Sequence, residues 1–121
     1  MQQLLVHLVG DYFLQTGWMA KWKVRKFLPA FVHALTYTLC FVILTQSVWA
    51  LLIIGVTHFL IDRYSLAKVF MTWRGQPPNG IYVYPEDGFK YPLYEGNMFL
   101  IYVVIDNATH LLINFLVLRF V

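Results

Sequence analysis

Three times in 121 residues a histidine and an aspartate stand four positions apart: His7 with Asp11, His58 with Asp62 and, in reversed order, Asp106 with His110. On a helix that spacing stacks imidazole and carboxylate on one face. With four histidines and six acidic residues in the chain, random placement gives about 0.4 such pairs, so the recurrence is a pattern. Mixed nitrogen and oxygen donors suit a divalent metal such as zinc, manganese or iron; magnesium seldom takes histidine. One ion needs three or four protein ligands. The six paired residues, with His33 as a further ligand or general acid/base, therefore provide for one or two ions and for groups that orient them. An ion with an open coordination position holds a water, lowers its pKa and supplies a nucleophile near neutral pH.

The elements that must position these residues are set by a composition unlike that of a soluble domain. Hydrophobic residues make up 60% and charged residues 12%, far more apolar surface than a chain of this length can hide in one core. A bilayer is the natural solvent for the excess. The net charge of +3 does not point to nucleic acid, because the basic residues are few and cluster at the ends of apolar runs, the pattern of membrane orientation. Cys40 stands alone, which excludes an intrachain disulfide or a thiolate metal cluster. The N-terminal stretch lacks a basic leader and carries Asp11 and Gln15 in its centre, so it is expected to be retained rather than cleaved as a signal.

The expected fold is all-α: one integral membrane domain, a polytopic four-helix bundle with helices at about 4–20, 29–45, 48–71 and 97–119. The first carries His7, Asp11 and Gln15 on one stripe, with Gly10 beside them to let a neighbouring helix approach. Such a stripe must face protein, since a carboxylate in lipid costs a few kcal/mol or more. Pro29 suits the first turn of the second helix, on which His33 and Tyr37 share a face. Residues 74–96 differ in kind: Asp87-Gly88 between β-formers predicts a tyrosine-rich interfacial loop or small hairpin between helices three and four. The basic loops, K-W-K-V-R-K and the region of Arg63, Lys68 and Arg74, are expected on the cytoplasmic side of a bacterial inner membrane, with both termini outside.

In that topology helices one and three descend while helix four ascends. The reversed third pair then puts all three carboxylates on the cytoplasmic side of their imidazoles, as convergence on one layered site requires. At a rise of about 1.5 Å per residue, Asp11 and Asp106 lie roughly 13 Å deep.

The stretches H-L-V-G-D-Y-F-L-Q-T-G-W-M-A-K at 7–21, H-A-L-T-Y at 33–37, H-F-L-I-D at 58–62 and D-N-A-T-H at 106–110 resemble the domain of unknown function 3307 family, small polytopic membrane proteins of bacteria and their phages. The positions matching its motifs are His7, Asp11, Gln15, His33, His58, Asp62, Asp106 and His110. The resemblance implies a polytopic membrane fold and no particular activity. The spacing is more distantly similar to that of membrane-bound metal-dependent hydrolases.

These readings converge on a membrane-embedded metal-binding protein acting as a hydrolase from the cytoplasmic side. His7, Asp11, His58, Asp62, Asp106 and His110 are the expected ligands; His33, Gln15 and Tyr37 are the expected catalytic or orienting groups. Lys21, Arg63 and Lys68, with Lys23 and Arg25 at the same mouth, suit an anionic headgroup, so a phosphorylated or lipid-like substrate is expected. A second class, a proton or metal-ion transporter or channel, needs the polar stripe to reach both faces. The outer runs L-C-F-V-I-L and L-V-L-R-F-V offer only Arg119. A third is a phage or host membrane interaction protein in which the aromatic loop carries function. Membrane lipids, a second copy of the chain or a host membrane protein are the expected partners.

Overall fold

The computed structural model describes residues 1–121. It is mostly helical, with six α-helices and one two-stranded hairpin. The helices are α1 (Gln2–Leu8), α2 (Gly17–Trp22), α3 (Phe27–Cys40), α4 (Val48–Tyr64), α5 (Leu66–Trp73) and α6 (Asn97–Phe120); the strands are β1 (Gly80–Val83) and β2 (Lys90–Leu93).

The first expected helix, 4–20, is two helices. After α1 the chain widens into a π-helical turn, Val9–Phe13, and then stops. Thr16 restarts it by capping α2, its hydroxyl accepting from the Met19 N–H at 3.3 Å. The wider turn carries Asp11 and takes Gln15 off the stripe of His7 and Asp11. Such π-bulges often mark functional sites. Gly10 sits inside this turn, and a Cβ there would meet the Tyr37 ring at 2.8 Å. The absence of a side chain is what lets the turn lie against α3.

Helices α3 and α4 form a hairpin across the polar break at Thr45–Ser47. Ser47 caps α4 by accepting from the Ala50 N–H at 3.2 Å, and Gly55 lies so close to α3 that an added Cβ would stand 2.6 Å from Thr38 Oγ1. The apolar core beside the hairpin is made by Val6, Tyr37, Phe41, Ala50, Ile54 and Val117.

The expected third helix, 48–71, is broken at Ser65, which adopts a left-handed conformation with φ 50° and ψ 55°. Helices α4 and α5 consequently meet at a bend of 58°, and α5 turns Ala67, Lys68 and Met71 inward. The segment after it forms an antiparallel hairpin with Tyr82 opposite Tyr91 and Ile81 opposite Pro92. Gly88 supplies the positive φ of its turn.

Only 24 of 121 residues are buried, and large apolar side chains point outward all round the helices: Phe13 is 83% exposed, Ile43 78% and Trp49 72%. By length and composition α6 alone is long and apolar enough to cross a membrane; the bent pair α4–α5 passes the same test only if taken as one span, and Phe27–Ile43 is a shorter apolar helix. Where four spanning helices were expected, the chain thus has one clear candidate span, or two if the bent pair is taken together.

Candidate metal centre

Four side chains from three separate segments meet in the interior: Asp11 from the π-helical turn, His33 from α3, and His58 and Asp62 from α4. All four are buried. His33 Nε2 lies 3.0 Å from Asp11 Oδ1, 3.1 Å from Asp62 Oδ2 and 3.1 Å from His58 Nε2. His58 Nε2 lies 3.4 Å from Asp62 Oδ2 and 3.6 Å from Asp11 Oδ1. The same oxygen of each carboxylate faces both rings. Four ligands at roughly 2.0–2.1 Å around a tetrahedral ion stand about 3.3 Å from one another, and the five separations bracket that value. His33 Nε2 carries one proton or one lone pair, yet it stands within 3.0–3.4 Å of Asp11, Asp62, His58 and Lys23, more neighbours than one hydrogen bond can serve. A group of this kind can hold a metal ion.

The surrounding groups orient these donors. His110, on α6, lies with Nε2 3.2 Å from Asp62 Oδ1, the oxygen turned away from the four-atom group, and with Nδ1 3.1 Å from Nδ1 of His58. Tyr37 stacks on His58 with ring centroids 3.6 Å apart and planes within 10°. Its hydroxyl accepts from Asn114 Nδ2 at 2.6 Å and meets His7 Nδ1 at 2.8 Å. His33 Nδ1 is buried without a partner, so no protein group fixes that ring's tautomer.

The other expected ligands fall outside the four. His7 is hydrogen-bonded on both ring nitrogens, Nε2 to Asn107 Oδ1 at 2.7 Å and Nδ1 to Tyr37. It has no free donor for an ion, and its Nε2 is 3.8 Å from Asp11 Oδ2. Asp106 and His110 form a second group with Asp11, with His110 Nε2 4.0 Å from Asp106 Oδ2. Gln15 lies at the break after the π-helical turn, its Oε1 buried and unpartnered.

Beside Asp62 and Asp106 opens a cavity of about 190 Å³, walled by Lys21, Lys23, Arg25, Ser65 and the tyrosines 84, 91 and 102. Lys23 donates to Asp62 Oδ2 at 2.7 Å and lies 3.4 Å from His33 Nε2. The other cations are largely engaged. Lys21 pairs with Glu86 at 2.7 Å, Arg25 with Asp87, Arg63 donates to the Val24 carbonyl, and the Lys68 ammonium sits 3.3 Å from the centre of the Tyr91 ring. Arg25 is also sandwiched between Trp22 and Tyr84, at 4.1 and 4.0 Å from the two ring centroids. These contacts pin the hairpin tip over the cavity. Hydrogen bonds from Lys21 and Arg25 hold the carboxyls of Glu86 and Asp87 below the usual carboxylate range.

Lys23 and Asn107 gain roles that spacing alone did not assign, whereas Asn114 lies four residues beyond His110 on the face the spacing marks. A signal existed for the asparagines, which are uncharged polar residues inside the apolar run of α6. For Lys23 the clue was only its place in a basic cluster, which reads equally as a membrane anchor.

The fold and site thus define a small helical protein with a buried His/Asp cluster next to a basic, tyrosine-walled cavity. The chain belongs to the family described as "Protein of unknown function (DUF3307)", which it matches over residues 1–121. No curated protein and no solved structure matches it.

Proposed function

We propose that the protein is a membrane-embedded metal-binding protein whose centre is Asp11, His33, His58 and Asp62, and that it hydrolyses a phosphorylated or lipid-like substrate entering through the basic cavity. The observation that carries the reading is the near-tetrahedral spacing of two imidazole nitrogens and two carboxylate oxygens in the interior, 3.0–3.6 Å apart. Two carboxylates and one ammonium, Lys23, leave the group one negative charge if the rings are neutral. A divalent ion turns that into a net positive charge suited to hydroxide or an anionic substrate oxygen. Zinc, manganese and iron all accept this donor set. An ion that expands to five or six ligands keeps a place for water, the chemistry hydrolysis needs.

The membrane setting is supported by the apolar side chains exposed round the helices and by the length of α6. At about 1.5 Å per residue its 24 residues outreach a hydrocarbon core of roughly 30 Å. The basic residues at the cavity then stand at one interface, which by the positive-inside rule is the cytoplasmic one.

The test is metal analysis of the whole chain, purified in detergent without chelator and supplemented with zinc, manganese or iron. A bound ion close to stoichiometric is expected. Less than about a tenth of an equivalent in every case overturns the metal centre and the hydrolase with it.

A further inference from the structure

Building on that metal reading, we infer that the centre takes one ion and not two, and that His110 enforces this as a positioning residue rather than a ligand. Asp11 belongs both to the four-ligand group and to the triplet with Asp106 and His110, which on distance alone resembles a two-ion site bridged by Asp11. Proton bookkeeping forbids it.

A neutral imidazole carries one proton. When His58 offers the lone pair of Nε2 to an ion, its proton sits on Nδ1 and points at His110 Nδ1, 3.1 Å away. His110 must present a lone pair there, so its own proton is on Nε2, where it donates to Asp62 Oδ1 at 3.2 Å. A nitrogen bearing that proton cannot ligate. An ion on His110 Nε2 requires the reverse: its proton moves to Nδ1, His58 accepts there, and the His58 proton lands on Nε2 inside the four-ligand group. Filling both groups would set two N–H bonds head-on across 3.1 Å, with both rings buried. The four-ligand group prevails, because it has one more donor and the closer spacing. Asp62 then divides its oxygens, Oδ2 facing the ion beside the Lys23 ammonium and Oδ1 holding His110, the usual manner in which outer groups fix a ligand. Asp106 is left without a bonding partner on the cavity wall.

The experiment is titration of the detergent-purified whole chain with zinc or cobalt(II), read as stoichiometry and affinity. One equivalent is expected in the parent protein. Asp106→Asn should keep one equivalent with unchanged affinity, and His110→Ala should keep one with affinity about 10- to 100-fold lower. In ¹⁵N spectra of the loaded parent, His58 should carry its proton on Nδ1. Two equivalents in the parent, falling to one in either variant, overturn this inference and leave the metal centre standing. No binding in the parent overturns the metal centre itself. Should His110→Ala fail to fold, Asp106→Asn still decides, since Asp106 is partly exposed and without a hydrogen-bond partner.

Discussion

Gly10 lies against Tyr37 so closely that a single added carbon would stand 2.8 Å from the ring. Tyr37 cannot step aside, being fully buried, stacked on His58 and bonded to His7 and Asn114. Gly10→Ala should therefore destabilise the fold by about 1–3 kcal/mol. Through the stacked rings it should also weaken metal binding. A thermal melt and a metal titration of the same variant check both; an unchanged melt would mean that the turn and α3 are less tightly apposed.

Ligand substitutions should separate the four central residues from His7. His33→Ala and His58→Ala are each expected to strip the ion. His7→Ala should retain it while costing about 2–4 kcal/mol, because it leaves the Tyr37 O–H proton without an acceptor and the Asn107 side-chain carbonyl without its donor. Elemental analysis beside a denaturation curve distinguishes the two outcomes. Loss of the ion in His7→Ala with its stability intact would count against the assignment.

The hairpin tip should respond to acid. The Glu86 and Asp87 carboxyls are held below their ordinary values by Lys21 and Arg25, so the docking they support is fully present above the ordinary carboxylate range. It is lost as pH falls through the lowered values, below about pH 4. Amide exchange across residues 80–93 should accelerate in that window. Asp87→Asn should raise exchange at neutral pH and flatten the response.

Ser65 is the one non-glycine residue with positive φ, and no hydrogen bond is made by its hydroxyl. A left-handed serine costs roughly 1–2 kcal/mol, so Ser65→Gly should raise stability by about 1 kcal/mol after the entropy of the more flexible unfolded chain is subtracted. An equilibrium unfolding midpoint that moves down instead would show that the side chain contributes to the bend.

Spacing made part of this legible and left part hidden. The pairing of His58 with Asp62 is true to the four-residue rule because α4 is regular there, and the bounds of α6 differ from the expected 97–119 by one residue at one end. The hairpin was signalled by Asp87-Gly88. The π-helical turn was not, since a 3.6-residue stripe drawn through His7, Asp11 and Gln15 assumes an unbroken helix. The restart at Thr16, which caps α2, lies inside what that stripe treats as one helix. The break at Ser65 has neither Gly nor Pro to announce it. His7 reads as a ligand by spacing, yet its partners Tyr37 and Asn107 come from elements 30 and 100 positions away, which no local rule reaches.

The N-terminal turn brings Asp11 to the cluster but little grease: of its segment, only Val6 joins the apolar core. A cation drawing Asp11, His33, His58 and Asp62 together would act as a rivet fastening that end to the α3–α4 hairpin. Chelation should consequently leave the hairpin standing and set the first dozen residues adrift, an uneven loosening in which the chain's beginning comes away before its middle.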